Sequence, residues 1–216
     1  MLSREAIKVA KKLLRVKIKH KLATISQESL SQQSQEILDR LVQSPIFKNA
    51  QKVALFMNMP DLEVKTLPII QECYNQKKKV YLPRCNTISV PNRKRNYLSM
   101  LNVPTFQDIL ELRPQGKYQL LEPIEGKDAL DSGDLDLILM PGVAFNQQRE
   151  RLGHGAGFYD EYLYTYKTKW EHLPLLVGLA LEEQITTNGL IPVELHDFKL
   201  DQIITPSNTF TKVEGT

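Results

Sequence analysis

The first 44 residues repeat apolar side chains at helical spacing. Ile7, Leu14 and Ile18 make one stripe, and Leu30, Ile37, Leu38, Leu41 and Val42 make a second, so the chain opens with two amphipathic helices. Ser26 is placed to cap the second helix and Pro45 to stop it. Beyond this point the pattern shortens. Residues 52–57, 79–83, 135–140, 175–181 and 202–205 are short apolar runs that read as strands. Between them, 66–76, 105–112 and 159–169 carry helical periodicity. The polar stretch 86–96 reads as a surface loop, and 114–132 as irregular chain. Strands alternating with helices predict an α/β fold with a mostly parallel sheet flanked by helices, entered through an N-terminal helical pair. A length of 216 residues fits one domain spanning 1–216.

Composition adds exclusions. With 42% hydrophobic and 25% charged residues the chain is ordinary for a globular protein. Its longest apolar run, 135–140, is far short of the ~20 residues that span a bilayer, and no apolar signal core opens the sequence. Cys73, within a helical pattern, and Cys85, just after a strand, have neither disulfide-framework nor metal-ligand spacing. Two reduced thiols point to a reducing interior compartment.

Net charge is only +3, but it is unevenly spread. Arg4, Lys8, Lys11, Lys12, Arg15, Lys17, Lys19 and Lys21 face a single acid, Glu5, within the first helix. Such a block attracts phosphate, and it loosely resembles a mitochondrial presequence. The cytoplasm is the expected location, with the mitochondrion as the alternative. On a helix Lys8, Lys11 and Arg15 share one strip beside the apolar stripe, where their charges reach an adjacent cleft.

The most informative segment is 140–160, MPGVAFNQQRERLGHGAGFYD. A buried strand ends at Pro141-Gly142, a polar loop follows, and Gly153, Gly155 and Gly157 alternate just before a helix. Ligands of open α/β sheets bind beyond the carboxyl ends of strands. Alternating glycines turn backbone N–H groups inward to hold anions, the following helix adds its positive end, and Arg151 adds forked donors. The segment is suited to a polyphosphate, yet it is neither a P-loop nor the G-x-G-x-x-G dinucleotide fingerprint.

PGVAFN followed by RLGHGAGFYD resembles the signature of the 5-formyltetrahydrofolate cyclo-ligase family, and ALFMNMPDLEVKT, VYLPR and IPVELHDFKLD extend the resemblance over nearly the whole chain. The resemblance implies a Rossmann-like fold and an enzyme that uses ATP and Mg²⁺ to close 5-formyltetrahydrofolate into 5,10-methenyltetrahydrofolate, releasing ADP and phosphate after phosphorylation of the formyl oxygen. It implies that Lys11, Arg15 and the loop Arg151, Leu152, Gly153, His154, Gly155, Ala156 and Gly157 hold ATP. Asp160 and Asp197 match acids associated with magnesium. Met57, Glu63 and Tyr118, with His154 through Tyr159 (including Phe158), match the folate side. Arg151 and Tyr159 are the expected catalytic residues. Asn146, His154, Ala156 and Phe158 depart from the family pattern, and Tyr118 stands where some members have tryptophan. The expected partner is the folate alone, mono- or polyglutamylated, bound by a monomer without nucleic acid or membrane. The main competing reading is a basic α/β module that binds RNA or nucleotides, and a second, given Asn146 and Phe158, is a member that keeps the fold in a regulatory role. The mild net charge and the lack of a recognised nucleic-acid motif weigh against the first.

Overall fold

The structure is a computed structural model that describes residues 3–59, 62–87, 96–116, 119–186, 191–194 and 197–212. Two helices open it, α1 (Arg4–Leu22) and α2 (Gln27–Gln43), capped by the hydroxyls of Ser3 and Ser26. Pro45 does not merely stop α2. It begins a one-turn helix, α3 (Pro45–Asn49), where its missing N–H costs nothing.

The remaining elements are β1 (Lys52–Ala54), α4 (Leu67–Asn75), β2 (Lys79–Asn86), β3 (Tyr97–Val103), α5 (Phe106–Leu110), β4 (Pro114–Gln115), β5 (Leu120–Leu121), α6 (Ala129–Ser132), β6 (Leu137–Met140), β7 (Ala144–Asn146), β8 (Arg151–Leu152), α7 (Phe158–Trp170), β9 (Leu175–Leu179), β10 (Ile185–Thr186), β11 (Gln202–Ile204) and β12 (Thr209–Thr211). A 3-10 turn, Glu182–Gln184, precedes β10.

Seven strands form the main sheet in the order β12-β11-β9-β6-β1-β2-β3. The five inner strands are parallel, and β12 and β3 close the edges antiparallel. Side chains alternate between two cores. Val53, Leu82, Leu137, Leu139 and Val177 face the side of α1, α2 and α4, while Ala54, Tyr81, Ile138, Met140 and Leu176 face α6 and α7. Burial on both faces explains why these strands read as unbroken apolar runs.

Several expectations are corrected. The strand expected at 52–57 ends at Ala54, although Leu55 N–H still donates to Tyr81 O. Cys85 lies within β2, not after it, because β2 runs on to pair with β3. Strands β3 and β12 were not anticipated. β3 alternates between buried and partly buried positions and β12 buries none fully, a weaker signal than the solid runs of the centre. The stretch 114–132 holds the β4–β5 pair and α6. Of the polar loop, 88–95 lies outside the described residues. Among those described, no helix is long and apolar enough to cross a membrane.

Candidate functional site

Strand order reverses between β1 and β6: the chain moves one way from β1 to β2 and the other way from β6 through β9 to β11. The crevice outside their carboxyl ends is where open α/β sheets bind ligands. From β1 the chain delivers Met57 and Glu63 to this crevice. From β6 it delivers Pro141-Gly142, a hairpin and the glycine loop.

The segment between Gly142 and the glycine loop is the β7–β8 hairpin, not a plain polar loop. Its turn is clamped by Asn146, whose Nδ2 donates to Glu150 Oε2 at 2.6 Å and whose Oδ1 accepts from Glu150 N–H at 3.0 Å. An ionised aspartate at 146 would face Glu150 with no proton to donate, so this departure from the family pattern is matched by the residue four positions on. Gly142 is required by packing, since a Cβ there would lie 2.6 Å from the Phe145 ring.

The hairpin aims Arg151 under the loop. Its side chain is 5% exposed, with Nη1 donating to Pro141 O at 3.2 Å and Nη2 to Asp160 Oδ1 at 3.0 Å. One guanidinium thereby ties the end of β6 to the first turn of α7. It also lies 5.7 Å from the centre of the Tyr159 ring. Burial pushes the Tyr159 phenol strongly upward, and nearby Glu63 adds to the effect while Arg151 opposes it. Tyr159 is therefore a neutral hydrogen-bonding group.

Loop residues 154–156 are exposed. Gly155 and Gly157 take φ of 110° and 71°, a region that other residues avoid. Gly157 is the N-cap of α7, and no side chain caps that helix. The N-terminus of α7 thus lies without a side-chain cap directly after the exposed loop.

Helix α1 supplies cations from the other side, as its strip of charges predicts. Arg15 Nε donates to Gly153 O at 2.8 Å, and the guanidinium lies against Gly155. Burial lowers the Arg15 pKa, with Asp197 pulling it back up. Lys11 Nζ donates to Asp197 Oδ2 at 2.7 Å and to Glu194 Oε2 at 2.9 Å. Burial alone would lower its pKa, but the two carboxylates outweigh it and the net shift is upward. Lys8 is exposed and does not join this group.

On the β1 side, Glu63 is 5% exposed and fixed at both oxygens, Oε2 by Met59 N–H at 2.8 Å and Oε1 by His154 Nε2 at 3.0 Å. Met57 packs half-buried against the core of the α1 face. Phe158 and Tyr159 pack on the opposite core. Tyr118 lies outside the described residues.

The structure thus joins Lys11 to Asp197, Arg151 to Asp160, Arg15 to Gly153 and His154 to Glu63. It pairs the two candidate metal acids each with its own cation, and among the described residues no group of three or more His, Cys, Asp or Glu could hold a metal. Sequence reasoning missed Glu194 as the second partner of Lys11. It also missed Glu122, a 5%-exposed acid whose Oε2 accepts from Cys85 N–H at 3.1 Å. A lone glutamate before Pro123 carried no periodic signal.

The donor set fits a nucleotide with magnesium. It offers a glycine loop with positive φ at Gly155 and Gly157, a helix N-terminus without a side-chain cap, and two cations from α1. Mg²⁺ bound to phosphate oxygens and water needs only one or two protein carboxylates.

Comparison with known proteins gives the family and the fold. The model of the 5-formyltetrahydrofolate cyclo-ligase family matches residues 7–206. A protein of Saccharomyces cerevisiae named 5-formyltetrahydrofolate cyclo-ligase is 35% identical over 205 residues, covering 90% of this chain and 94% of its own. One of Mus musculus with the same name is 33% identical over 198 residues, covering 90% of this chain and 93% of its own. The NMR structure of Aquifex aeolicus 5,10-methenyltetrahydrofolate synthetase superposes with a TM-score of 0.75 at 29% identity, covering 95% of this chain and 94% of that one.

Proposed function

The chain belongs to the 5-formyltetrahydrofolate cyclo-ligase family, and from that premise we propose that it closes 5-formyltetrahydrofolate to 5,10-methenyltetrahydrofolate with ATP and Mg²⁺, 1–216 acting as one catalytic domain. The observation that carries this reading is the His154–Glu63 contact of 3.0 Å, which sets the glycine loop and the β1 side against each other over a single crevice. An acyl oxygen bound beside Glu63 is thereby held next to a phosphate gripped by the loop.

ATP supplies the phosphoryl group that converts the formyl oxygen into a leaving phosphate. What the protein contributes is position and charge, which is what phosphoryl transfer asks for. Gly153, Gly155 and Gly157 with Leu152, His154 and Ala156 present backbone N–H groups to phosphate oxygens. Lys11 and Arg15 neutralise phosphate charge from α1, and Arg151 does so from beneath the loop. Asp160 and Asp197 provide the carboxylates for Mg²⁺. On the folate side Met57 supplies an apolar wall, Phe158 aromatic surface, and Tyr159 a neutral hydroxyl. Glu63 accepts from a substrate N–H, held in place by Met59 N–H. No protein nucleophile is required.

Spectroscopic detection of the methenyl product, with purified protein and 5-formyltetrahydrofolate, tests the proposal. Product is expected only when ATP and Mg²⁺ are both added. Product without ATP, or none with both, rejects it.

A further inference from the structure

One buried acid has no part in the chemistry above. Glu122 follows β5 and folds back over the carboxyl end of β2, where its Oε2 accepts from Cys85 N–H at 3.1 Å. Cys85, Phe158 and Tyr159 pack against the same core. Cys85 and Glu122 add to the upward shift of the Tyr159 phenol, after burial and Glu63. The acids that act on the Tyr159 phenol thus come from different parts of the chain: Glu63 from the loop after β1, where it meets the glycine loop, and Glu122 from the segment after β5, where it meets the end of β2.

The two acids are held differently. Both oxygens of Glu63 are engaged by the protein. Glu122 takes the Cys85 backbone N–H and the Cys85 thiol, whereas an ionised carboxylate offers about four acceptor positions. Burial raises the Glu122 pKa even though Cys85 and Arg84 oppose it. A carboxylate kept at such a cost beside a ligand crevice is a candidate for ligand recognition.

The proposed substrate has a matching group. Its reduced pterin carries an N3–H and a 2-amino group side by side, two parallel donors that a carboxylate accepts as a pair. These donors lie on the pyrimidine ring, at the end of the bicycle remote from the formyl-bearing N5. If the formyl end faces the glycine loop, the donor pair faces β2. We infer that Glu122, held by Cys85 at the end of β2, is a specificity-determining residue that accepts hydrogen bonds from N3–H and the 2-amino group of the folate. This rests on the function proposed above and adds to it the atoms by which the pterin is read.

Glu122→Gln keeps an acceptor for Cys85 N–H and places an amide NH₂ against the ligand's donors. The KM for 5-formyltetrahydrofolate is expected to rise about 10-fold or more, with the KM for ATP unchanged within about 2-fold. The 2-desamino analogue of 5-formyltetrahydrofolate, used as a competitive inhibitor, separates recognition from mere shape. It should bind the wild type at least about 10-fold more weakly than the parent compound, and Glu122→Gln should lose little or nothing further against it. Equal binding of the two compounds by the wild type overturns the inference, whether or not the variant folds. An equal loss for both compounds in the variant overturns it as well. Turnover by the wild type reports on the proposed function separately, so the two can fail independently.

Discussion

His154 and Glu63 meet at 3.0 Å across the crevice, one from the loop after β8 and the other from the loop after β1. Glu63 is buried, so its Oε1 cannot turn to water if the imidazole leaves. A nucleotide that draws His154 toward phosphate therefore strips a buried carboxylate of a partner unless a substrate N–H replaces it. Nucleotide and folate should then bind with positive coupling.

The first prediction follows directly. The affinity of the wild type for a non-hydrolysable ATP analogue with Mg²⁺ should increase about 5-fold or more when 5-formyltetrahydrofolate is present. His154→Ala should bring that factor close to one, measured by calorimetric titration in the presence and absence of the folate. Undiminished coupling in the variant would show that the contact does not link the two ligands.

Arg151 has a double role that separates two kinds of loss. It bonds Pro141 O and Asp160 from a 5%-exposed position, so Arg151→Ala should lower both turnover, by about 10-fold or more, and the melting temperature. Arg151→Lys keeps a charge but not the fork that reaches two partners at once. It should recover little of either. Steady-state kinetics and thermal unfolding of the two variants decide this, and wild-type kinetics in Arg151→Ala would end the assignment.

Lys11 gives a pH dependence with a definite sign. Its folded pKa lies above the ordinary 10.5 because the bonds to Asp197 and Glu194 outweigh burial. Its contribution to stability is complete below about pH 10.5 and is lost as pH rises through the folded value. Urea unfolding of wild type and Lys11→Met should differ at neutral pH and converge in strong alkali. A gap that persists at high pH would mean that the methylene stem, rather than the ammonium, makes the difference.

Gly157 stands at φ 71°, and a Cβ added there would meet nothing within 4 Å, so Gly157→Ala carries only a backbone cost of about 1–2 kcal/mol. Because that cost falls at the entry to α7, where the loop presents its N–H groups, the KM for ATP should rise more than the KM for the folate. Equal changes in both would place the effect on overall stability instead.

Much of this was legible along the chain. The apolar runs at 52–57, 79–83, 135–140 and 175–181 marked the central strands, since a strand buried on both faces is apolar through its middle, although three of them proved shorter, as 52–54, 137–140 and 175–179. The stripes of α1 and α2 and the glycine spacing before α7 were equally plain. Strands β3 and β12 were not, because each lies at a sheet edge with partly exposed positions and so shows no solid apolar run, although each pairs antiparallel with the strand just before it in sequence. The β7–β8 hairpin was hidden for a related reason: its turn depends on Asn146 meeting Glu150, a side-chain contact that has no periodicity.

By itself the sequence determined local matters: which segments are amphipathic, where glycine permits positive φ, which charges share a helix strip, and hence the family. Tertiary structure decided partnership. Lys11 and Asp197 are 186 positions apart, and Glu63 and His154 are 91 apart. Their pairing depends on strand order reversing between β1 and β6, a long-range choice made by packing two cores against one sheet. No local pattern encodes the distance between two side chains carried to the same crevice by different strands.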